Sequence, residues 1–322
     1  MSTSIGVIGL GAWGSALSLH LARAGHSLVG FSRGVSPSRT SFTIGGCDYP
    51  LPSNCTLTND ISSLSNVQIL IIALPAKALN AVRIPRCAHT IISATKGIEP
   101  STRQTPLQFF EKKLDVATQA MGTLSGPSFA ADLAAGRPIS VVAASSSITT
   151  ADKIAELFSS PTFRVYSSED PLGVELGGIL KNVIALAAGV SDAMGLGPSA
   201  RAALITRGLA EMTRLAVALG AQTSTLSGLS GLGDLIMTAS DDQSRNRTVG
   251  LRLGKGESLS AIATSLGSVA EGVSTASLAL KLATEAGVDT PICAQVVELL
   301  EGRISPQQLV VNLMQRPRKR EF

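Results

Sequence analysis

Three glycines near the start of the chain have the spacing of a phosphate-binding loop. They stand in Gly9-Leu10-Gly11-Ala12-Trp13-Gly14, a G-x-G-x-x-G pattern. Glycines at these places allow a tight turn, close approach of the backbone to a pyrophosphate and close packing of a helix on a strand. The amides that open the following helix would bind the phosphates. The pattern therefore predicts a dinucleotide site, with a purely structural turn as the alternative.

A second region with the residue types for chemistry surrounds Lys181. Between Leu176 and Val190 the only strongly polar side chains are Lys181 and Asn182. Small residues surround the lysine at helical spacing, namely Gly177, Gly178, Ala185, Ala188 and Gly189. Desolvation on such a face favours the neutral form of a lysine, which suits a group that gives up and regains a proton. The sequence favours Lys181 as a proton donor; a lysine that extends along a seam between helices is the alternative.

Residues that suit a phosphorylated substrate follow later in the chain. Asp234 stands on a glycine-rich turn, where it could pair with a catalytic lysine. Arg245 has a planar fork of donors that binds phosphate bidentately, and Ser244 and Asn246 flank it.

Alternation of strand-like and helical segments predicts the scaffold of the first part of the chain. A buried strand over Ile5–Ile8 leads into the glycine loop, and Leu17, Leu21 and Ala24 form one apolar helical face that ends at Gly25. Further strands are predicted over 27–31, 69–74, 90–94, 121–124, 139–143 and 163–166, with a helix over 151–158 and mainly loops over 34–59. This alternation is typical of a doubly wound parallel sheet of the Rossmann type.

Two groups are predicted just beyond the carboxyl ends of strands, where the ligands of open parallel sheets bind. Lys96 follows the strand 90–94, and Gly126-Pro127-Ser128 follows the strand 121–124. Pro127 suits the first position of a helix, and Ser128 beside unpaired helix amides would hold an oxyanion or a hydroxyl group. The alternatives are an exposed lysine and an ordinary capped helix.

The end of the second strand indicates which dinucleotide binds. NAD sites usually place an acidic residue about 20 residues after the glycine loop, where it accepts hydrogen bonds from a ribose. Here Ser32-Arg33 stands at that place, and the next acid is Asp48. An arginine fork would bind the 2′-phosphate of NADP(H), whereas a carboxylate would repel it. The sequence favours NADP(H) over NAD(H), with a solvated loop arginine as the alternative.

The pattern changes at Asp170-Pro171, after which strand patterns largely disappear. Helices are predicted over 172–190, 198–219, 275–286, 292–300 and 306–314. We therefore expect a dinucleotide-binding domain over residues 1–169 and an all-helical substrate and catalytic domain over residues 170–322. A chain of 322 residues is long enough for a core in each domain.

Composition excludes several classes of protein. A hydrophobic content of 44% with 16% charged residues is typical of a well-packed α/β protein. No membrane span is expected, and a net charge of +4 with 3% aromatic residues argues against nucleic-acid binding. The cysteines Cys47, Cys55, Cys87 and Cys293 form no C-x-x-C pair, which favours free thiols in the cytoplasm.

Other catalytic devices are missing from the sequence. The histidines His20, His26 and His89 all lie in the predicted nucleotide domain, and neither a nucleophile elbow nor a metal-ligand cluster occurs. No metal site is therefore predicted, and Lys181 is the strongest candidate for the proton donor.

These motifs together give the sequence a specific resemblance. Along nearly its whole length it resembles the bacterial-type NAD(P)-dependent glycerol-3-phosphate dehydrogenases. The matching stretches, in order, are GLGAWGSAL, ATKGIE, SGPSFAADLAAGRP, LKNVIALAAG, GLGPSARAALITRGLAEM, GLSGLGDLIMTASDDQSRN and VAEGVSTA. The resemblance implies reduction of dihydroxyacetone phosphate to sn-glycerol 3-phosphate by NADPH or NADH, which supplies phospholipid synthesis.

The resemblance also implies a role for each residue that matches a motif. Lys181 would donate and accept the proton, with Asp234 and Lys96 as the other catalytic residues. The substrate would contact Lys96, Gly126, Ser128, Lys181, Asp234, Ser244, Arg245 and Asn246. The cofactor would contact Gly9, Gly11, Ala12, Trp13, Gly14, Arg33, Lys96, Ala130, Arg245, Val269 and Glu271. Ala12, Gly177 and Ser199 depart from residues frequent in the family, and none of the three touches the expected chemistry.

Two other functions remain open at this point. One is a related two-domain NADP-dependent reductase of another small acid, such as a β-hydroxyacid or ketopantoate. The other is a non-catalytic NADP(H) sensor. A reductase of a carboxylate substrate would not need Ser244-Arg245-Asn246 as a phosphate-binding site. A non-catalytic sensor would not need both Lys181 and Asp234. The sequence leaves a homodimer open.

Overall fold

Two compact units make up the chain, Met1–Glu175 and Leu176–Phe322. The computed structural model describes residues 3–85, 90–114, 120–267, 270–318 and 320. Cys87, His89 and Val269 lie outside these ranges. The sequence places the domain boundary between residues 169 and 170, whereas the compact units divide after Glu175, inside a helix.

The first unit contains every strand that the apolar pattern predicts. Its strands are β1 (Ser4–Ile8), β2 (Ser27–Phe31), β3 (Ser41–Ile44), β4 (Cys47–Pro50), β5 (Cys55–Thr58), β6 (Ile69–Ile72), β7 (Thr90–Ser93), β8 (Ala120–Ser125), β9 (Ile139–Ala144) and β10 (Phe163–Ser168). Its helices are α1 (Ala12–Arg23), α2 (Pro106–Leu114), α3 (Ala130–Ala134) and α4 (Ile148–Phe158).

Within the described ranges, eight of these strands form one sheet in the order β10-β9-β8-β7-β6-β1-β2-β5. The strands from β8 through β7, β6, β1 and β2 to β5 are parallel. Neighbouring residues of β6, Ile71 and Ile72, belong to different apolar clusters, because successive side chains of a strand point to opposite faces. Leu17 and Phe158 pack in the first cluster and Phe110 in the second, so helices cover both faces. The predicted doubly wound sheet is confirmed.

The strands β9 and β10 run opposite to the rest of the sheet. β9 pairs antiparallel with β8, and β10 pairs parallel with β9. Residues 126–138, which join β8 to β9, contain only the five-residue helix α3 and return the chain at the edge where β8 ends. The sequence does not predict this reversal, because a buried strand has the same apolar pattern in either direction.

Two local predictions in the first unit differ from the structure. Residues 34–59, predicted mainly as loops, contain the antiparallel pair β3–β4 and the edge strand β5. These strands have only four residues each, so their apolar patterns are short. Pro127 does not open a helix, because α3 begins at Ala130 with Phe129 as its N-cap.

The described residues of the second unit form helices and connecting loops, without a strand. Its helices are α5 (Pro171–Ala193, which begins in the first unit), α6 (Gly197–Ala218), α7 (Thr223–Leu226), α8 (Asp234–Ser240), α9 (Arg245–Gly254), α10 (Leu259–Leu266), α11 (Glu271–Glu285), α12 (Pro291–Leu300) and α13 (Pro306–Met314). The five predicted helices correspond to α5, α6, α11, α12 and α13. The helices α7 to α10 were not predicted. α7, α8 and α10 have at most eight residues, and the ten residues of α9 include three arginines and two glycines, which leave little apolar periodicity.

The helix α5 carries Lys181 through the protein interior. Asp170 begins it by accepting a hydrogen bond from the amide of Gly173 at 2.9 Å, and Pro171 fits the first turn, where no amide partner is needed. The helix is long and apolar enough to cross a membrane, but its most apolar stretch is wholly buried inside the protein. It is therefore a core helix, and no other described helix meets the criteria for a membrane span.

A buried carboxyl group begins α12. Glu211 on α6 accepts hydrogen bonds from the amides of Ile292 and Cys293, both at 2.8 Å. Burial raises the pKa of Glu211 to about 7, against the opposing effect of these hydrogen bonds and of Arg214. Burial likewise raises the pKa of Glu175, which accepts from the amide of Leu107, to about 8.

These raised values predict that the protein loses stability as the pH rises. In the unfolded chain a glutamate ionises near its ordinary value of 4.5, whereas folded Glu211 keeps its proton to about 7. The free energy of unfolding should therefore fall from about pH 4.5 and stop falling for this residue above about pH 7, by roughly 3 kcal/mol. Chemical denaturation of wild type and Glu211→Gln between pH 4.5 and 9 measures this. A fall that is equally steep in both proteins would contradict the assignment.

Candidate active site

The glycine loop joins β1 to α1 at the carboxyl edge of the sheet. Gly9 has φ +101°, and a Cβ atom there would lie 2.5 Å from the carbonyl oxygen of Ala73. Its amide donates to the carbonyl oxygen of Phe31 at 2.9 Å, which ties the turn after β1 to the end of β2. A Cβ atom at Gly14 would overlap the carbonyl oxygen of Gly9, so this glycine allows α1 to pack closely on the loop.

Gly11 is different, because a Cβ atom there would meet nothing within 4 Å. It is the N-cap of α1, and no side chain caps that end of the helix. The structure therefore gives Gly9 and Gly14 the turn and packing roles and leaves open space over Gly11. Open space beside uncapped helix amides fits the pyrophosphate of a dinucleotide.

Three other residues expected at the cofactor, Arg33, Ala12 and Trp13, lie in or near this loop. Arg33 is exposed and lies two residues beyond β2, at the same sheet edge, because Ile8 pairs with Phe31 in parallel register. Ala12 is exposed at the start of α1. Trp13 is half-buried against the apolar cluster beneath α1, and its indole nitrogen has no hydrogen-bond partner in the described part of the chain.

Lys96 and Gly126 lie at this edge too, because β6, β7 and β8 are parallel and the two residues follow β7 and β8. Lys96 is half-buried. The next residue, Gly97, has φ +138°, and a Cβ atom there would lie 2.7 Å from the Cβ atom of Ala76. The turn that carries Lys96 therefore packs closely against Ala76.

Ser128 lies directly before Phe129, the N-cap of α3, and so is not part of the helix. Its hydroxyl donates to the carbonyl oxygen of Gly126 at 3.1 Å, within a turn in which Gly126 has φ +148°. A Cβ atom at Gly126 would lie 2.8 Å from the Cα of Val141 on β9, so only glycine fits there. Ala130, expected at the cofactor, is half-buried at the start of α3.

In the second unit the structure brings Lys181 and Asp234 together in a buried ion pair. The side chain of Lys181 is 5% exposed and that of Asp234 is 0% exposed. The ammonium also donates to the hydroxyl of Thr238 at 2.7 Å. Because Asp234 and Thr238 are one turn apart on α8, this helix orients the lysine from one side.

The glycines around Lys181 serve helix packing. A Cβ atom at Gly177 would lie 2.5 Å from the carbonyl oxygen of Ser230, and one at Gly189 would overlap the backbone of α9. Ser230 belongs to a turn of π-helix, Leu229–Gly233, directly before Asp234. At these two positions the backbone of the same unit fills the space beside the helix.

Ser244, Arg245 and Asn246 begin α9. Ser244 is the N-cap, and its hydroxyl oxygen accepts from the amide of Arg247 at 3.2 Å. Arg245 is exposed. The buried amide of Asn246 donates to Oδ1 of Asn182 and accepts from the amide of Gly272, both at 2.8 Å.

Glu271, expected at the cofactor, is half-buried and begins α11 directly before Gly272. Since Gly272 binds Asn246, the start of α11 is tied to the start of α9. Sequence reasoning missed this contact and also the buried pair of Arg247 with Asp192. Asn182 had a visible signal as the polar neighbour of Lys181; Asp192 and Arg247 had none.

Comparison with known proteins identifies the family. Residues 4–151 match the model of the NAD-dependent glycerol-3-phosphate dehydrogenase N-terminus, and residues 170–311 match that of the C-terminus. The chain belongs to the NAD-dependent glycerol-3-phosphate dehydrogenase family. The resemblance inferred from the motifs is thereby confirmed.

Individual family members are similar over their full length. Proteins named glycerol-3-phosphate dehydrogenase (NAD(P)+) from Thioalkalivibrio sulfidiphilus and Methylibium petroleiphilum are 42% and 43% identical to this chain, and each alignment covers at least 98% of both proteins. The crystal structure of the glycerol-3-phosphate dehydrogenase from Coxiella burnetii has a TM-score of 0.91 at 35% identity and covers 98% of this chain and 99% of that one.

Proposed function

We propose that this chain is an oxidoreductase that reduces dihydroxyacetone phosphate to sn-glycerol 3-phosphate with NADPH or NADH and so supplies glycerophospholipid synthesis. The observation that carries the proposal is the buried pair of Lys181 with Asp234 in a chain of this family. A buried ammonium needs a reason, because desolvation of a charge is costly. Carbonyl reduction supplies one, since the oxygen that gains charge needs a proton.

The reduction requires a hydride at the carbonyl carbon and a proton at the carbonyl oxygen. The nicotinamide cofactor supplies the hydride when it is bound. Lys181 would donate a hydrogen bond from Nζ to the carbonyl oxygen and transfer its proton as negative charge develops there. Asp234 and Thr238 hold that nitrogen in place, and in the reverse reaction neutral Lys181 accepts the hydroxyl proton of the product.

The phosphate of the substrate would bind at the start of α9. The guanidinium of Arg245 offers a bidentate contact. The N-cap hydroxyl of Ser244 accepts from the amide of Arg247, and no donation from it to another described residue is seen, so its proton is proposed to go to the phosphate. Among the described residues, Asn246 uses its oxygen and one N–H, and its second N–H is proposed to bind the substrate. Lys96, Gly126 and Ser128 are proposed as the substrate contacts of the dinucleotide domain.

The cofactor is proposed to be NADP(H) by preference, with NAD(H) also accepted. The open space over Gly11 and the uncapped start of α1 fit its pyrophosphate. Arg33 would bind the 2′-phosphate. The remaining proposed contacts are Gly9, Ala12, Trp13, Gly14, Lys96, Ala130, Arg245, Val269 and Glu271.

Arg33→Asp should change the cofactor preference. Replacing the cation by an anion removes a charge-assisted contact to the 2′-phosphate, so KM for NADPH should rise by about 10- to 100-fold. KM for NADH should stay the same or fall, because NADH has no 2′-phosphate. Initial rates with each cofactor at saturating substrate measure this. Equal damage with both cofactors would mean that Arg33 only supports its loop.

Location and assembly are part of the same proposal. Cys47, Cys55 and Cys293 are free thiols, which suits a reducing compartment, and we propose the cytoplasm. The partners proposed are the small-molecule substrate and a second copy of the chain in a homodimer. The residues after 169 are proposed to form the catalytic domain.

The test of the proposed function is oxidation of NADPH by the purified protein with dihydroxyacetone phosphate. We expect turnover with this substrate and little with unphosphorylated dihydroxyacetone, ketopantoate or β-keto acids. The reverse assay, with sn-glycerol 3-phosphate and NADP+, should also proceed at alkaline pH. Turnover of an acid substrate in place of dihydroxyacetone phosphate would contradict the proposal.

A further inference from the structure

A buried arginine stands directly after the residues proposed to bind phosphate. The side chain of Arg247 is only 10% exposed, although arginine is usually found at the surface. Its Nε and one terminal nitrogen donate to Oδ2 of Asp192, at 3.0 and 2.7 Å. Its other terminal nitrogen pairs with Asp242. Burial alone would lower the pKa of Arg247, but the hydrogen bonds and charges of these two carboxylates raise it.

Asp192 links this arginine to the helix of the proposed proton donor. It lies on α5, eleven residues and about three turns after Lys181, and its side chain is 11% exposed. Arg201 on α6 also donates to it, at 3.1 and 3.2 Å. The pair of Arg247 with Asp192 is therefore a direct connection between α9, which begins at Arg245, and α5, which carries Lys181.

Besides this ion pair, a side-chain hydrogen bond connects α5 and α9 within the described residues: the amide of Asn246 donates to Oδ1 of Asn182 at 2.8 Å. A Cβ atom at Gly250 would overlap the carbonyl oxygen of Leu186, and one at Gly254 would lie 2.6 Å from the Cβ of Ala193. Glycines allow the two backbones to touch, but they have no side chains that interlock. The pair of Arg247 with Asp192 adds a second directional contact, ten residues after Asn182 on α5, and so stops α9 from pivoting about the first.

We propose that Asp192 and Arg247 are positioning residues that set the distance between the guanidinium of Arg245 and the ammonium of Lys181. This inference rests on the proposed function of those two residues. A phosphorylated three-carbon substrate bridges them only at one separation. The ion pair thereby fixes the length of substrate that is held with its phosphate on α9 and its carbonyl oxygen at Lys181.

The experiment compares two substrates that differ only in the phosphate. Asp192→Asn and Arg247→Lys each weaken the connection between the helices, and Asp192→Asn/Arg247→Gln removes both charges, so that neither remains buried alone. Asp242→Asn and Arg201→Gln are matched controls, because each removes a more exposed partner of the same cluster. All variants are assayed with NADPH against dihydroxyacetone phosphate and dihydroxyacetone, and their thermal unfolding is recorded.

We expect the three variants of the pair to raise KM for dihydroxyacetone phosphate by about 10- to 100-fold, the usual effect of a displacement near 1 Å. Their kcat/KM for dihydroxyacetone should stay near that of wild type, and the two controls should keep wild-type values for both substrates. An equal loss on both substrates, or no loss in the folded double variant, would overturn the proposal. If the wild-type protein has no activity with dihydroxyacetone phosphate, the proposed function itself is refuted.

Discussion

Lys181→Met should reduce turnover by about 10²–10⁴-fold at saturating substrate and cofactor, the usual contribution of a positioned general acid. Methionine keeps the length and apolar stem of the lysine but removes the proton and the charge. Lys181→Arg should restore little, because a guanidinium holds its proton too tightly to transfer it. Lys281→Met, at an exposed lysine of α11, is the control.

The structure adds a second effect of Lys181→Met. Asp234 is completely buried, so loss of its partner leaves a buried charge unpaired and should lower the free energy of unfolding by about 3–5 kcal/mol. Lys181→Met/Asp234→Asn should recover most of that stability and none of the turnover. A stable double variant with near wild-type turnover would remove Lys181 from the mechanism and make Lys96 the next candidate.

Arg245→Ala should cost about 2–4 kcal/mol of transition-state stabilisation with dihydroxyacetone phosphate, since a doubly charged acceptor loses its bidentate donor. Much of this should appear as a higher KM, because the phosphate is bound equally in the ground state and the transition state. Stability should change little, since the side chain is exposed.

Unphosphorylated dihydroxyacetone is the control substrate for Arg245→Ala. It should be a poor substrate for wild type and nearly insensitive to the change. Arg252→Ala removes another arginine of α9, one that pairs with Glu257, and should affect neither substrate. If Arg245→Ala damages both substrates equally, Arg245 does not bind the phosphate.

Local patterns in the sequence were enough to predict the glycine loop, the buried strands and the long helices. Each of these depends on residues close together in the chain, such as Gly9 and Gly14 around one turn. The pairing of Lys181 with Asp234 was also within reach, because an isolated polar residue on an apolar helix needs a partner and few carboxylates stand on glycine-rich turns.

The features that the sequence did not predict depend on contacts between distant segments. The direction of β9 depends on how the connection from β8 to β9 packs. The apolar pattern of β9 itself would be the same in a parallel and in an antiparallel strand. Arg247 and Asp192 are 55 positions apart, and each looks like an ordinary surface residue of a helix. The glycines around Lys181 did not reveal which element packs on them, because glycine allows either a ligand or a neighbouring backbone to approach.

The reversal of β9 has a consequence for how this fold can change its substrate during evolution. A connection between two parallel strands must run from the carboxyl edge of the sheet back to its amino edge, and this distance sets a minimum length for the connection. Residues 126–138 leave β8 and enter β9 at one edge, the edge that also bears the glycine loop and Lys96. Insertions and deletions in this connection would change the surroundings of Gly126 and Ser128, the proposed substrate contacts, without disturbing strand order or register. It is therefore the segment of the first unit in which we expect related enzymes with other substrates to differ most in length.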